Sequence, residues 1–191
     1  MTRTVLVAAV VWSSLSFAQE DAGAPAPTPA PPPAAPVAAD FSKKLDELWA
    51  TRDAAESIKQ GNAAVNDGLK AFPNDYDLLW RSARHRWFIA DGQDESKQAQ
   101  KKILAKEAWG YADRALKVKP GAFEGHYYKA LSIGAYSEAI GILTAITEGI
   151  EGQFVENLDI ALKANPDYDR AGPLRAKGRY YAQLPWPKRD S

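Results

Sequence analysis

The sequence predicts an all-α protein, and two observations lead to this prediction. From Asp40 onward, apolar residues recur every three or four positions, which is the period of an amphipathic helix and not the alternation of a strand. The phrase Leu-Lys-x-x-Pro occurs three times, ending at Pro73, Pro120 and Pro166, which are 47 and 46 residues apart. Ten residues beyond each proline stands an alanine: Ala83, Ala130 and Ala176. These recurrences in register indicate an internal helical repeat.

The first 18 residues predict a signal peptide. One positive charge at Arg3 precedes a mainly apolar run, and the segment ends at Ala18 in the small-x-small form that signal peptidase cleaves. The run is shorter than the roughly 20 residues that a membrane-spanning helix needs, although an uncleaved anchor is the alternative. We therefore expect a periplasmic or secreted protein that is not an integral membrane protein after cleavage behind Ala18.

Residues 19–40 predict a linker. They are rich in proline and alanine, and proline favours extended backbone and prevents helix formation. A semi-rigid spacer partly in the polyproline II conformation is expected; a docking site for a proline-reading module is the alternative. The folded domain is then residues 41–191.

The helices of this domain are marked by apolar stripes. A short first helix carries Leu45, Leu48 and Trp49. Four longer stripes follow at helical spacing: Ile58, Val65, Leu69 and Phe72; Tyr76, Trp80, Ala83 and Trp87; Leu104, Ala108, Ala112 and Ala115; Phe154, Leu158, Ala161 and Leu162. The repeated prolines separate successive helices, where the missing amide hydrogen is not needed.

Each unit is therefore expected to be a helical hairpin whose alanine lets two helix axes approach closely. The tetratricopeptide repeat is built in this way, with a period of about 34 residues. Here the period is 46 or 47 residues, so the prediction is an irregular tetratricopeptide-like α-solenoid. Between Tyr128 and Phe154 lies an extra apolar segment broken by glycines. We interpret it as a core helix, with the wall of a ligand cavity as the alternative.

Composition and motifs do not favour an enzyme. The formal net charge is zero, which gives no support for nucleic acid as a partner, and the chain has no cysteine. The two histidines, His85 and His126, follow their prolines by different distances and are not expected to form a metal site. Nucleophile elbows, phosphate loops and zinc-protease motifs are absent from the sequence. No catalytic residue, cofactor or metal is expected.

A groove is the better candidate for a functional site. If the repeated alanines align with the small residue of a tetratricopeptide crossing, groove positions lie 7, 11 and 14 residues after each proline. They are Trp80, Arg84 and Trp87; Tyr127, Leu131 and Gly134; Pro173, Lys177 and Tyr180. Aromatic side chains beside arginine or lysine suit a peptide or an organic anion. The alternative is that the large aromatic residues fill the core.

Three segments resemble a known family. They are "LLWRSARHRWFIADG", "GYADRALKVKPGAFEGHYYKALSIGAYS" and "NLDIALKANPDYDRAGPLRAKGRYYAQLPWP". Together they resemble the T-component family of TRAP transporters, called TatT, across roughly residues 45–187. The regulators of microtubule dynamics show a related helical pattern, but the predicted secretion signal argues against that branch.

The resemblance implies a non-catalytic accessory protein of a TRAP-type transport system. It would bind the solute-binding subunit and help to deliver a small organic ligand, and homo-oligomers occur in the family. A periplasmic tetratricopeptide scaffold unrelated to transport is the alternative. The polar end at residues 188–191 leads us to expect that a C-terminal capping helix is missing.

Overall fold

The computed structural model describes residues 35–184 of the 191-residue chain. Within that range the chain forms α-helices, one short 3₁₀ turn and no strand, so the predicted all-α class is confirmed. The predicted signal peptide, most of the predicted linker and residues 185–191 lie outside the described range. The helices are α1 (Ala38–Trp49), α2 (Ala55–Ala71), α3 (Tyr76–Asp91), α4 (Gln98–Val118), α5 (Phe123–Ile140), α6 (Ile142–Thr147), α7 (Glu151–Ala164) and α8 (Tyr168–Gln183).

Each repeated proline lies between two helices. Pro73 separates α2 from α3, Pro120 separates α4 from α5, and Pro166 separates α7 from α8. The residue before each proline has left the helical region, with φ between −157° and −132° and ψ between 68° and 86°. A following proline disfavours the helical region for the residue before it by steric contact, so each helix ends there. These residues are Phe72, Lys119 and Asn165.

Two of the three repeated alanines lie at tightly packed positions. Ala83 is fully buried in the apolar cluster that joins α3, α4 and α5, where Ala112 and Ala115 are also fully buried. Ala130 is fully buried in a second cluster, with Phe154 and Leu158 of α7. Small residues at such contacts let helix axes approach closely. Ala176 is only half-buried.

The extra apolar segment does not form one core helix, contrary to the interpretation favoured from the sequence. Its first part, up to Ile140, belongs to α5, and its apolar stretch after Gly141 forms the six-residue helix α6, in which Ala145 alone is buried and Leu143 is 68% exposed. Gly141, at φ 91°, turns the chain sharply between α5 and α6. Only glycine adopts such a φ without steric cost. Gly141 therefore ends α5 and allows α6 to begin as a separate helix.

Helix α8 begins in an unusual backbone conformation. Asp169, Arg170 and Ala171 have φ between 50° and 58°, the left-handed region that residues with a Cβ rarely adopt. Gly172 follows, and a Cβ placed on it would lie 2.2 Å from the Tyr127 hydroxyl oxygen. The missing side chain therefore lets the start of α8 pack directly against α5.

Candidate functional site

A cleft with a volume of about 330 Å³ lies between α3, α5, α6, α7 and α8. We call it the C-terminal cleft. Small-molecule sites in proteins usually have volumes of roughly 300–1,000 Å³ and mostly apolar walls. The cleft fits both criteria, since its apolar wall is formed by Trp87, Leu131, Ile142, Ile146, Phe154 and Tyr180.

Neighbouring helices position the apolar wall. Phe154 packs against the ring of Tyr180, with ring centroids 5.1 Å apart, and this contact joins α7 to α8. Tyr180 also donates a hydrogen bond to Glu151 one turn below Phe154. Burial and this carboxylate raise the pKa of the Tyr180 phenol, so the hydroxyl stays protonated and acts as a donor. Tyr180 is therefore fixed in the wall by an apolar and a polar contact.

A polar network centred on Glu138 of α5 closes one end of the cleft. Lys101 of α4 donates to Glu138 at 2.7 Å, Gln183 of α8 donates to it at 3.1 Å, and Arg179 of α8 lies 2.8 Å away. Arg179 also pairs with Asp91 of α3 at 3.3 Å. The network links four helices through side chains alone.

The Glu138 carboxyl is held in its charged form. Burial by itself would raise the pKa of Glu138, but hydrogen bonds from Lys101 and Gln183 and the charge of Arg179 outweigh burial and lower that pKa. Lys101 is itself buried, with 7% of its side chain exposed, and Glu138 is the partner that compensates its charge. Glu138 therefore contributes a negative charge to the network at neutral pH.

The structure places five of the nine proposed groove residues around this cleft. Trp87, Tyr127, Leu131 and Tyr180 line it, as does Gly134, another of the groove positions. They come from α3, α5 and α8, so the predicted helices do converge on one concave surface.

Four proposed groove residues do not line the cleft, and one of them, Pro173, is buried inside α8. Trp80 is buried and stacks on Tyr128 with ring centroids 5.8 Å apart. Arg84 is buried beneath α1, where it pairs with Asp46 at 2.7 Å. Lys177 pairs instead with Asp159 of α7 at 3.0 Å. Trp80 fills the core, which is the alternative considered for the aromatic residues, because α5 covers it. Arg84 is kept from the cleft because α1 covers it.

Sequence reasoning missed the charged residues of the cleft and the α6 wall. Asp91, Glu138 and Arg179 lie outside the three assumed groove positions of each hairpin, and Ile142 and Ile146 lie in the insertion. One feature of the sequence did point to the α6 wall. It was the apolar segment broken by glycines, for which the wall of a ligand cavity was the alternative interpretation. Nothing in the spacing indicated that Arg179 would meet Asp91 and Glu138, which are 88 and 41 residues away in the chain.

The histidines do not contribute to the cleft. His85 contacts Asn62 at 3.1 Å, and His126 contacts Asn157 at 2.8 Å and the Pro120 carbonyl at 2.8 Å. Among residues 35–184 no three His, Asp or Glu side chains are grouped closely enough to share a metal ion.

None of the helices between residues 35 and 184 is both long enough and apolar enough to cross a membrane.

Comparison with known proteins identifies the family. Residues 41–190 match the family model described as RMD1-3, Regulator of microtubule dynamics protein 1-3. Over 116 residues the chain is 32% identical to Regulator of microtubule dynamics protein 1 of Mus musculus, 30% to that of Pongo abelii and 31% to that of Bos taurus. These alignments cover 60% of this chain and 37%, 36% and 36% of the three relatives, so it spans little more than a third of their length.

These matches contradict the assignment to the TRAP transporter T-component family. The predicted transport function, the solute-binding partner, the periplasmic scaffold and the periplasmic or secreted location are wrong with it, since all followed from that family or from the predicted signal peptide. The physical reason is that helical hairpins with proline turns occur in both families, and the choice between them relied on residues 1–18, outside the described range. The chain belongs to the family of regulators of microtubule dynamics proteins 1-3.

Proposed function

We propose that this chain is a non-enzymatic binding domain that takes part in regulating microtubule dynamics, and that the C-terminal cleft is its binding site. The observation that carries the proposal is the cleft itself, a concave surface of about 330 Å³ with an apolar wall and a charged end. The microtubule part of the proposal comes from the names of the relatives, which this chain matches over part of their length.

The way the cleft carboxylates are partnered supports a binding function over a catalytic one. A general acid or base works best with a pKa near the operating pH, whereas the pKa of Glu138 is lowered by its partners. Asp91 is paired with Arg179, and Glu151 accepts a hydrogen bond from Tyr180. Such groups hold and orient a ligand better than they transfer its protons.

We also propose that the hairpins form an irregular tetratricopeptide-like solenoid. The support is the order of packing, since the three most extensive helix pairings are α3 with α4, α4 with α5 and α5 with α7. Contacts between consecutive elements are typical of solenoids, where each repeat rests mainly on its neighbours.

The proposal is tested by imaging single dynamic microtubules with and without the full 191-residue chain. We expect the chain to change the catastrophe frequency or the growth rate. Ile142→Arg should abolish this effect, because Ile142 lines the cleft and an arginine there would occupy the apolar space.

Leu143→Arg is the matched control. Leu143 is the next residue of the same short helix, is 68% exposed and is not part of the cleft wall, so this variant should act like the wild type. If the wild-type chain leaves every dynamic parameter unchanged, the microtubule function is refuted. If both variants act alike, the cleft is not the site of that function.

A further inference from the structure

We propose that the C-terminal cleft binds an amphipathic organic cation, a molecule with an apolar body and an ammonium or guanidinium group. The inference rests on the proposed function in taking the cleft as the binding site, and it adds the chemical class of the ligand. Three features of the cleft carry it: the sign of its charge, the pairing of an aromatic ring with a carboxylate, and the apolar wall.

The charged residues of the cleft favour a positive ligand. Four carboxylates and two arginines line it, which leaves a formal charge of −2. Lys101, which lies behind Glu138 and pairs with it, reduces the imbalance to −1 without removing it. Both arginines are already paired with carboxylates, Arg175 with Asp169 and Arg179 with Asp91 and Glu138. An anion would have to break these pairs and would leave the carboxylates uncompensated.

Trp87 and Asp91 form the expected contact for the cation. They are one helical turn apart on α3, so both side chains reach the same side of the helix, and both line the cleft. An indole face attracts an ammonium or guanidinium group through its quadrupole, and the adjacent carboxylate adds an ion pair. The Asp91 side chain is about one-third exposed, at 32%, and therefore accessible from the cleft.

Arg179 occupies the position that the ligand's charge would take. Its guanidinium bridges Asp91 and Glu138 at 3.3 and 2.8 Å, yet 54% of its side chain is exposed. A bound cation can replace it at Asp91 while Arg179 turns to water and keeps its contact with Glu138. In the absence of a ligand, the guanidinium of Arg179 on α8 thus takes the place of the ligand's cationic group.

The apolar wall accounts for the rest of the molecule. Leu131, Ile146 and Phe154 lie opposite α8 and line the same cavity. Burying an apolar body there removes hydrocarbon from water at roughly 25 cal/mol per Å². A purely polar cation would leave the apolar wall exposed to water. The ligand therefore needs both an apolar body and a cationic group.

The test uses three probes with the same apolar body, namely 4-phenylbutylamine, 4-phenylbutanol and 4-phenylbutyrate. Their binding to the full chain is measured by isothermal titration calorimetry at pH 7 and low salt. We expect the amine to bind about tenfold more tightly than the alcohol, and the acid to bind most weakly. Asp91→Asn should remove most of the difference in affinity between the amine and the alcohol, leaving the part that Trp87 contributes. Asp53→Asn, at an exposed position in the turn before α2, should change nothing.

The comparison among probes on the wild-type chain keeps the inference testable even if a variant folds poorly. Tighter binding of the acid, or no binding of any probe at millimolar concentration, would overturn the inference. Neither result depends on microtubules. If the probes fail while Ile142→Arg still abolishes the microtubule effect, the proposed function stands and the cation is refuted; the reverse outcome refutes the microtubule function and leaves the cation site.

Discussion

The helices α1–α5, on one side, and the helices α6 and α8, on the other, are held in place by different contacts. In α1–α5, apolar clusters contain fully buried residues such as Val65, Leu79 and Ala112. In α6 and α8, large apolar side chains remain in contact with water, including Leu143 and Leu174 at 68% and 52% exposure, whereas α7 buries Leu158 in the core. Helix α8 is attached through the rings of Tyr168 and Tyr180 and through hydrogen bonds and ion pairs. Its glycine-, charge- and tyrosine-rich sequence has few aliphatic residues to bury.

This difference in packing indicates which side of the cleft can move to admit a ligand. Apolar packing at high density holds helices in one arrangement, whereas exposed ion pairs are worth little and can exchange with water. Regions with few buried contacts are the ones that open locally with low free energy. The cleft lies between a rigid wall from α3 and α5 and a less firmly attached wall from α6 and α8.

The largest expected effect comes from making the same substitution, leucine to alanine, in both regions. Leu79→Ala should lower the free energy of unfolding by about 3 kcal/mol, because Leu79 is fully buried and its truncation leaves a cavity. Leu174→Ala removes a leucine that is 52% exposed and should cost less than about 0.5 kcal/mol. Urea unfolding followed by circular dichroism measures both. Equal losses in the two variants would show that α8 is packed as tightly as α3.

The next test concerns a buried histidine of the first region. Burial, followed by the charges of Arg86 and Arg84, lowers the pKa of His85 from 6.5 to about 4. The unfolded state therefore binds more protons between pH 6.5 and 4, so stability should be complete above pH 6.5 and fall as the pH drops toward 4. About 1.4 kcal/mol per pKa unit gives a loss of about 3 kcal/mol.

His85→Gln should remove this part of the pH dependence. Unfolding curves of the wild type and the variant, measured at several pH values from 7 to 4, give the difference directly. Carboxylates contribute equally to both proteins, so the difference isolates His85. Parallel pH profiles would mean that His85 is protonated in the folded protein as readily as in the unfolded one.

The helix boundaries at the repeated prolines could be predicted from the sequence because their signals are local. A proline acts on the residue before it, and Phe72, Lys119 and Asn165 all leave the helical conformation as expected. A buried alanine at a crossing also follows from spacing alone, as at Ala83 and Ala130. Such features depend on a few neighbouring residues and not on the rest of the fold.

The cleft could be predicted only in part because it depends on contacts between distant helices. The repeat spacing placed Trp80 and Trp87 in the same groove, yet Trp80 is buried against Tyr128 while Trp87 reaches the cleft. Arg84 was assigned to the groove, but α1 covers it and Asp46 compensates its charge. The position of α1 depends on its packing against α2 and α3. The repeat period of the sequence gives no information about that packing.

The family was misassigned for a related reason. Spacing of apolar residues and prolines describes helical hairpins, and many families with different functions use them. The match across residues 41–190 depends on residue identity at each position, and that information is absent from periodicity. The fold class could therefore be correct while the partner and location were wrong.

The smallest expected effect concerns the attachment of α8. Arg179→Gln removes the ion pairs to Asp91 and Glu138 but leaves Lys101 paired with Glu138. Because 54% of the Arg179 side chain is exposed, the free energy of global unfolding should fall by less than about 1 kcal/mol.

Local opening should respond more than global stability. Hydrogen exchange at the backbone amides of α8 should become faster in Arg179→Gln, because the ion pairs and hydrogen bonds to Glu138 help to hold α8. The amides of α3 and α5 should exchange as in the wild type, because apolar contacts hold these two helices. The wild type in 1 M salt should shift in the same direction, since salt screens exposed ion pairs. Unchanged exchange in α8 would mean that the contact of Tyr180 with Phe154 and Glu151, and not the ion cluster, holds α8 against the cleft.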